Sequence, residues 1–75
     1  MITDKKEIAL ILGGKIRMMR QKQGLTIEQL ANDSGMGYIQ LSRIELGKIN
    51  TTVFQVFKIS KSLKVEVSEI FENTL

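Results

Sequence analysis

Residues 25–47, LTIEQLANDSGMGYIQLSRIELG, decide how this chain folds. Thr26 and Gln29 have capping-box spacing: the Thr26 hydroxyl accepts from the Gln29 amide while the Gln29 side chain reaches back. A helix therefore starts at Thr26, with Leu30 and Ala31 on its inner face. Ser34-Gly35-Met36-Gly37 breaks it, because two glycines in three residues permit φ > 0 and a sharp reversal. A second amphipathic helix runs from Tyr38 to Glu45, with Leu41 and Ile44 at i, i+3 spacing, and Gly47 stops it. The stretch reads as two short helices joined by a tight glycine turn, spanning about residues 26–46.

The flanking sequence is helical as well. A first helix should begin near Asp4, where Asp4 and Glu7 have capping-box spacing. Its inner face is Ile8, Leu12, Ile16 and Met19, with Ile11 beside it, and Gly24 ends it. Gly13 and Gly14 lie inside this helix, where each costs about 1 kcal/mol relative to Ala. Close packing of another helix against that turn accounts for them. A phosphate-binding loop would need a preceding strand and a longer glycine pattern, of which only Gly14-Lys15 is present. Residues 47–51 form a loop. A fourth helix starts at Thr52, where Thr52 and Gln55 repeat the capping box, and its inner face is Val53, Val56, Phe57, Ser60 and Leu63. A fifth runs from about Val67 to Asn73 with Ile70 and Phe71 inward. The alternation Val65-Glu66-Val67 is too short for a strand. The expectation is an all-α fold, five helices in one domain over residues 1–75.

Composition excludes several kinds of chemistry. The chain has no Cys and no His. Disulfides, zinc sites and His-based acid–base catalysis each lose a component. Ser34 and Ser42 have no histidine to activate them, so no enzyme, metal or cofactor is expected. The net charge of +3 is modest. Its distribution says more: Lys15, Arg17, Arg20 and Lys22 are free of neighbouring acids, while Glu66, Glu69 and Glu72 are free of bases. The apolar run Ile8-Ala9-Leu10-Ile11-Leu12 is far too short to span a bilayer, and no export signal is evident. These features give the expectation of a cytoplasmic protein without membrane contact.

Two helices across a glycine turn make a helix-turn-helix, a motif whose second helix enters the DNA major groove. The wider series is more specific. It comprises Leu12-Gly13, Ile16-Arg17, Arg20, Gly24-Leu25-Thr26, Leu30-Ala31, Gly35-Met36, Leu41-Ser42-Arg43-Ile44-Glu45, Gly47-Lys48, Asn50, Lys58-Ile59, Leu63, Val65 and Glu69-Ile70-Phe71. In this series the chain resembles the phage repressor and Cro-type helix-turn-helix regulators, the xenobiotic-response-element family. The resemblance runs without a gap from about Leu12 to Phe71. It implies a compact, five-helix lambda-repressor-like domain that regulates transcription by binding double-stranded DNA. In its short length the chain is similar to the small controller proteins of restriction–modification systems. The resemblance also implies an ion pair between Arg20 and Glu45, tying the first helix to the recognition helix. The family pattern is broken at Ile27, Gly37 and Glu66, where the family usually carries polar or hydroxyl residues.

The base-contacting positions implied by the resemblance are Tyr38, Ile39, Gln40 and Arg43. Arg43 suits guanine O6 and N7, Gln40 suits adenine N6 and N7, and Ile39 suits a thymine methyl. Tyr38 suits a phosphate or a base edge. Candidates for phosphate contact are Arg17, Thr26, Gln29, Ser42, Lys48 and Asn50. A single recognition helix reads few base pairs, so a homodimer on a palindromic operator is expected. Phe54, Val67 and Leu75 lie off the assigned inner faces and are the candidate dimer interface. An alternative reading is a protein-interaction module, such as an antitoxin that also represses its own operon. The apolar residues would then cover a partner protein. The chain has no room for a ligand-sensing domain, so a small-molecule effector is not expected.

Overall fold

The computed structural model describes residues 4–72, and among them are five helices and no strand. They are α1 (Lys5–Lys22), α2 (Ile27–Asp33), α3 (Tyr38–Glu45), α4 (Val53–Leu63) and α5 (Val67–Phe71). Capping chemistry sets four of the starts, including that of α5, where the Glu69 carboxylate accepts from the Glu66 amide at 3.0 Å. The Asp4 carboxylate accepts from the Lys6 amide at 2.8 Å, so Asp4 caps α1, without the reciprocal bond from Glu7 that a capping box requires. Thr26 and Gln29 form the full reciprocal box on α2, with bonds of 3.1 and 2.8 Å. Thr52 and Gln55 do the same on α4, at 3.1 and 3.2 Å.

One device closes the first four helices. After α2, the Met36 amide donates to the Ala31 carbonyl at 3.0 Å and the Gly35 amide to Asn32 at 3.2 Å. This is the Schellman arrangement, which needs a left-handed residue at Gly35, where φ is +67°. The same bond pair follows α1 at Gly24 and α3 at Gly47. After α4 it is made by Lys64, the one described non-glycine residue with positive φ. Four sharp stops of this kind keep the connections short.

The core cluster comprises Leu12, Ile16, Leu30, Ala31, Leu41, Ile44, Val56, Ile59, Leu63 and Ile70, one or more from every helix. Ser34 is also buried; its hydroxyl donates to Ser62 Oγ at 3.0 Å and links the end of α2 to α4.

Three core assignments from the sequence need correction. Val53 and Phe57 were expected on the inner face of α4, but they are 78% and 48% exposed. The buried set is Val56, Ile59, Ser60 and Leu63. At 100° per residue, Phe57 lies roughly 110° from the centre of that stripe, and Ile59 takes its place. Val53 lies nearer the stripe, but in the first turn, where it walls an open groove rather than meeting a packed neighbour. Phe71 borders the same groove and is exposed, leaving Ile70 as the buried residue of α5. Val67, expected off that face, packs against the core. α5 ends at Phe71; the expected extension to Asn73, and Leu75 beyond it, lie outside the described residues.

The two glycines of α1 differ. A Cβ on Gly13 would collide with the Ile44 carbonyl oxygen and stand 2.7 Å from that of Glu45, so α3 crosses α1 backbone to backbone. A Cβ on Gly14 would meet nothing within 4 Å, so close packing does not account for that residue. Gly14→Ala should therefore stabilise the fold by about 0.5–1 kcal/mol through helix propensity. Gly13→Ala should destabilise it by about 1–3 kcal/mol or more, because α3 must move. Urea unfolding of the two variants checks this; shifts of the same sign would contradict the assigned crossing.

Candidate nucleic-acid interface

α3 is held from behind and bare in front. Leu41 and Ile44 are fully buried, and Met36, just before the helix, packs against the core. The C-terminal end of α3 is fixed to α1 by the Gly13 contact and by Arg20. Arg20 Nε donates to Glu45 Oε2 at 2.7 Å and Nη2 donates to Oε1 at 3.0 Å. The third donor, Nη1, reaches the Leu25 carbonyl at 2.8 Å. Both side chains are buried. One guanidinium thus joins α1, the α1–α2 connection and the last residue of α3. The fork geometry sets the rotation of α3 about its axis, which a greasy contact would leave loose.

This burial removes Arg20 from the basic run of α1. The accessible bases on this part of the chain are Lys15, Arg17, Lys22, Arg43 and Lys48, of which Lys15 is half-buried.

On the outer side of α3, Ile39 is 65% and Tyr38 55% exposed, and Arg43 is exposed. Gln40 and Ser42 are half-buried. None of these side chains makes a hydrogen bond within the described residues, so their donors and acceptors are available. Arg17 and Ser42 flank one shallow groove of about 160 Å³ between α1, the start of α2 and α3. Ile27 lies in that groove and packs partly against the core, so the polar residue the family usually carries there is replaced by packing. Leu46 borders the same groove and is exposed, one turn beyond Ser42. Its i+4 spacing from Ser42, legible in the sequence, puts it on the same side as that residue.

Thr26 and Gln29 are exposed at the start of α2. Their capping box uses the Thr26 hydroxyl oxygen and the Gln29 carbonyl oxygen as acceptors. What remains is the Thr26 O–H and the Gln29 NH2, both donors and of the right polarity for a phosphate. Lys48 is exposed just after α3, its amide held by the Arg43 carbonyl at 2.9 Å. Asn50 is exposed in the next loop, on the border of the groove that Val53 walls.

The proposed dimer residues separate. Phe54 is 70% exposed, on the side of α4 opposite its buried stripe, and the Lys58 ammonium lies 5.3 Å from its ring centroid. Val67 is half-buried against the core, and Leu75 lies outside the described residues. Phe57 joins Phe54 on the open side of α4, with the Lys61 ammonium 5.5 Å from its ring. Among the described residues no group of His, Cys, Asp and Glu side chains is arranged to hold a metal ion, and no helix is long and apolar enough to cross a membrane.

Comparison with known proteins places this geometry. A family model described as helix-turn-helix matches residues 16–70. The HTH-type transcriptional regulator SlrR of Bacillus subtilis is 40% identical over 63 residues, covering 83% of this chain and 41% of SlrR. The chain thus spans well under half the length of that relative. The crystal structure of the restriction-modification controller protein C.AhdI from Aeromonas hydrophila superposes with a TM-score of 0.83 at 28% identity, covering 84% of this chain and 96% of that one. A mutant of the restriction-modification controller protein C.Esp1396I superposes with a TM-score of 0.82, also at 28% identity, over 89% and 85% of the two chains.

The buried pair gives a stability prediction. Arg20→Ala strands the Glu45 carboxylate in the interior and should destabilise the fold by about 3–5 kcal/mol. Arg20→Lys offers a point charge that cannot serve both Glu45 oxygens and the Leu25 carbonyl, and should fall between. Thermal or urea unfolding measures both. A loss under about 0.5 kcal/mol for Arg20→Ala would mean that the pair behaves as an exposed one.

Proposed function

Because the chain belongs to the helix-turn-helix family, we propose that it is a sequence-specific transcriptional regulator that binds a palindromic DNA operator as a homodimer. The observation that carries this reading is α3: fixed from behind by Gly13 and Arg20, it leaves Tyr38 and Ile39 exposed with no intramolecular role. Large apolar side chains in water are explained when they meet base edges and thymine methyl groups. In this reading Arg43 takes guanine, Gln40 adenine, Ile39 a thymine methyl, and Tyr38 a base edge or phosphate. Arg17, Thr26, Gln29, Ser42, Lys48 and Asn50 hold phosphates, which set register and supply the salt-dependent part of affinity. SlrR is a transcriptional regulator and C.AhdI a controller protein by name, and both fit the same role here.

The exposed side of α4 supports the dimer reading. Val53, Phe54 and Phe57 offer three large exposed apolar side chains within five residues. Together they suit a two-fold interface in which one patch meets its own copy. Such a dimer places its recognition helices about 34 Å apart, one turn of B-DNA.

Selection from a random duplex pool tests the reading. The wild-type protein should enrich inverted half-sites about 10 base pairs apart between centres; enrichment of no motif would overturn it. On the selected site, Arg43→Ala should lose about 1–3 kcal/mol and relax preference at one base pair per half-site. Lys48→Ala should weaken all sequences alike and lower the salt slope by about one per subunit. Equal loss without any change of base preference would remove Arg43 from base reading. Phe54→Asp should turn dimer into monomer in sedimentation with helicity retained, because Phe54 is outside the core. An unchanged dimer would remove Phe54 from the interface.

A further inference from the structure

The outer face of α1, turned away from the core, is not made for water. Leu10, Gly14 and Met18 follow one another at i, i+4 and i+8, so they lie in one row along the helix. Leu10 is 57% and Met18 48% exposed. Leu46 widens the row: it is exposed, and the residue after it, Gly47, sits against the backbone and side chain of Leu10. Single apolar residues on a surface are ordinary, but a row on one face marks a contact surface. Gly14 divides the row. Ala would suit the helix better, yet a Cβ here would meet nothing within 4 Å, so the fold itself has no use for the glycine. The face is thus two apolar ridges with a gap between them, a shape that takes a side chain from an opposing helix. The rim is basic. At 100° per residue, Lys6 and Arg17 stand within about 40° of Leu10, and Lys22 about 40° from Met18. All three are exposed, as is Lys48 beyond Leu46, and none is in an ion pair among the described residues. Against these bases α1 carries a single acid, Glu7.

We propose that this face of α1 docks an acidic amphipathic helix of another protein. The apolar side chains of that helix meet Leu10, Met18 and Leu46, one of them seated over Gly14, and its carboxylates meet the basic rim. Recognition of a helix in a groove uses anchors spaced in this way. Charge decides the occupant. A second copy of this chain would bring the same bases against themselves, whereas acids of a partner complement them. An anionic lipid surface would also suit the bases, but it has no side chain to place in a gap at Gly14. The partner should compete with DNA, and in this respect the inference rests on the DNA-binding reading. Arg17 holds a phosphate in that reading, and it stands about 20° from Leu10 around α1. A carboxylate docked on Arg17 takes it from the operator.

A display library of helical peptides tests this. Its members carry leucines along one face and a free choice of Glu, Gln or Lys at the flanking positions. Selection on wild-type protein, with Gly14→Leu protein as the counter-selection, should enrich Glu-rich members. The leading peptide, made synthetically, should bind wild-type protein, and Gly14→Leu and Met18→Glu should each weaken it by about tenfold or more. Both variants should keep their helicity, and Gly14→Leu should unfold no earlier in urea than wild type, because the face lies outside the core. With wild-type protein the peptide should raise the apparent Kd for the selected operator by about tenfold or more; with Gly14→Leu it should leave that Kd unchanged. Enrichment of no helix, or of Lys-rich and Glu-rich helices alike, would overturn the inference. Peptide binding that Gly14→Leu does not weaken, or that leaves operator affinity unaltered, would overturn it too. Wild-type self-association lost in Met18→Glu would give the face to a second copy, and binding to phosphatidylglycerol vesicles lost in Met18→Glu would give it to a membrane; either result overturns the proposal. Wild-type protein that binds no duplex would overturn the DNA-binding reading and with it the competition, while the peptide titration still decides the docking.

Discussion

The bidentate bond between Arg20 and Glu45 is the constraint on which the rest of this structure depends. Burying two charges is expensive, and their attraction repays the cost only if the geometry is good and the leftover donors are satisfied. Both conditions hold: the fork is short on both arms, and the spare nitrogen finds the Leu25 carbonyl. Apolar side chains of similar size would pack as well or better, but would let α3 slide and turn. The pair instead fixes the end of α3 at one height and one rotation. Gly13 then lets the α3 backbone come down on α1 with nothing between.

With the back of α3 held at that end, the connections decide how its front is presented. Schellman closures at Gly35 and Gly47 bracket the helix and allow no slack in the links on either side. The capping box at Thr26 uses side-chain acceptors and leaves donors outward at the start of α2. Donors at the start of one helix, beside a fixed second helix with exposed Tyr38, Ile39 and Arg43, form a surface suited to an anionic polymer with readable edges. The open side of α4 differs in kind: Lys58 and Lys61 lie over the Phe54 and Phe57 rings, and Val53, Phe54 and Phe57 are exposed.

Much of this was legible in the sequence because it is local. Capping boxes at Thr26 and Thr52, the Gly35 reversal and the extent of α3 depend on residues within a few positions of one another, and they appear where the spacing puts them. The misread positions depend on what stands opposite. Val53 and Phe57 fit a helical stripe, but only Val56, Ile59, Ser60 and Leu63 meet a wall. Phe71 is apolar and next to the buried Ile70, yet borders an open groove. Gly13 and Gly14 look alike in sequence, and only the path of α3 tells them apart. Arg20 belongs by position to a basic run; the family resemblance, not local spacing, paired it with Glu45, 25 residues away, and the structure has that pair. The exposure of Tyr38 and Ile39 follows from Leu41 and Ile44 pointing inward.

The central claim is that the outer face of α3, fixed against α1, is the surface that meets DNA. Amide chemical-shift mapping during titration with a selected duplex tests it most directly. The account predicts the largest changes at residues 38–43, with further changes at Arg17, Thr26, Gln29 and Lys48, and little change at Glu66 and Glu69 beyond the acidic end. Changes centred on α4 and α5 with α3 silent would contradict it.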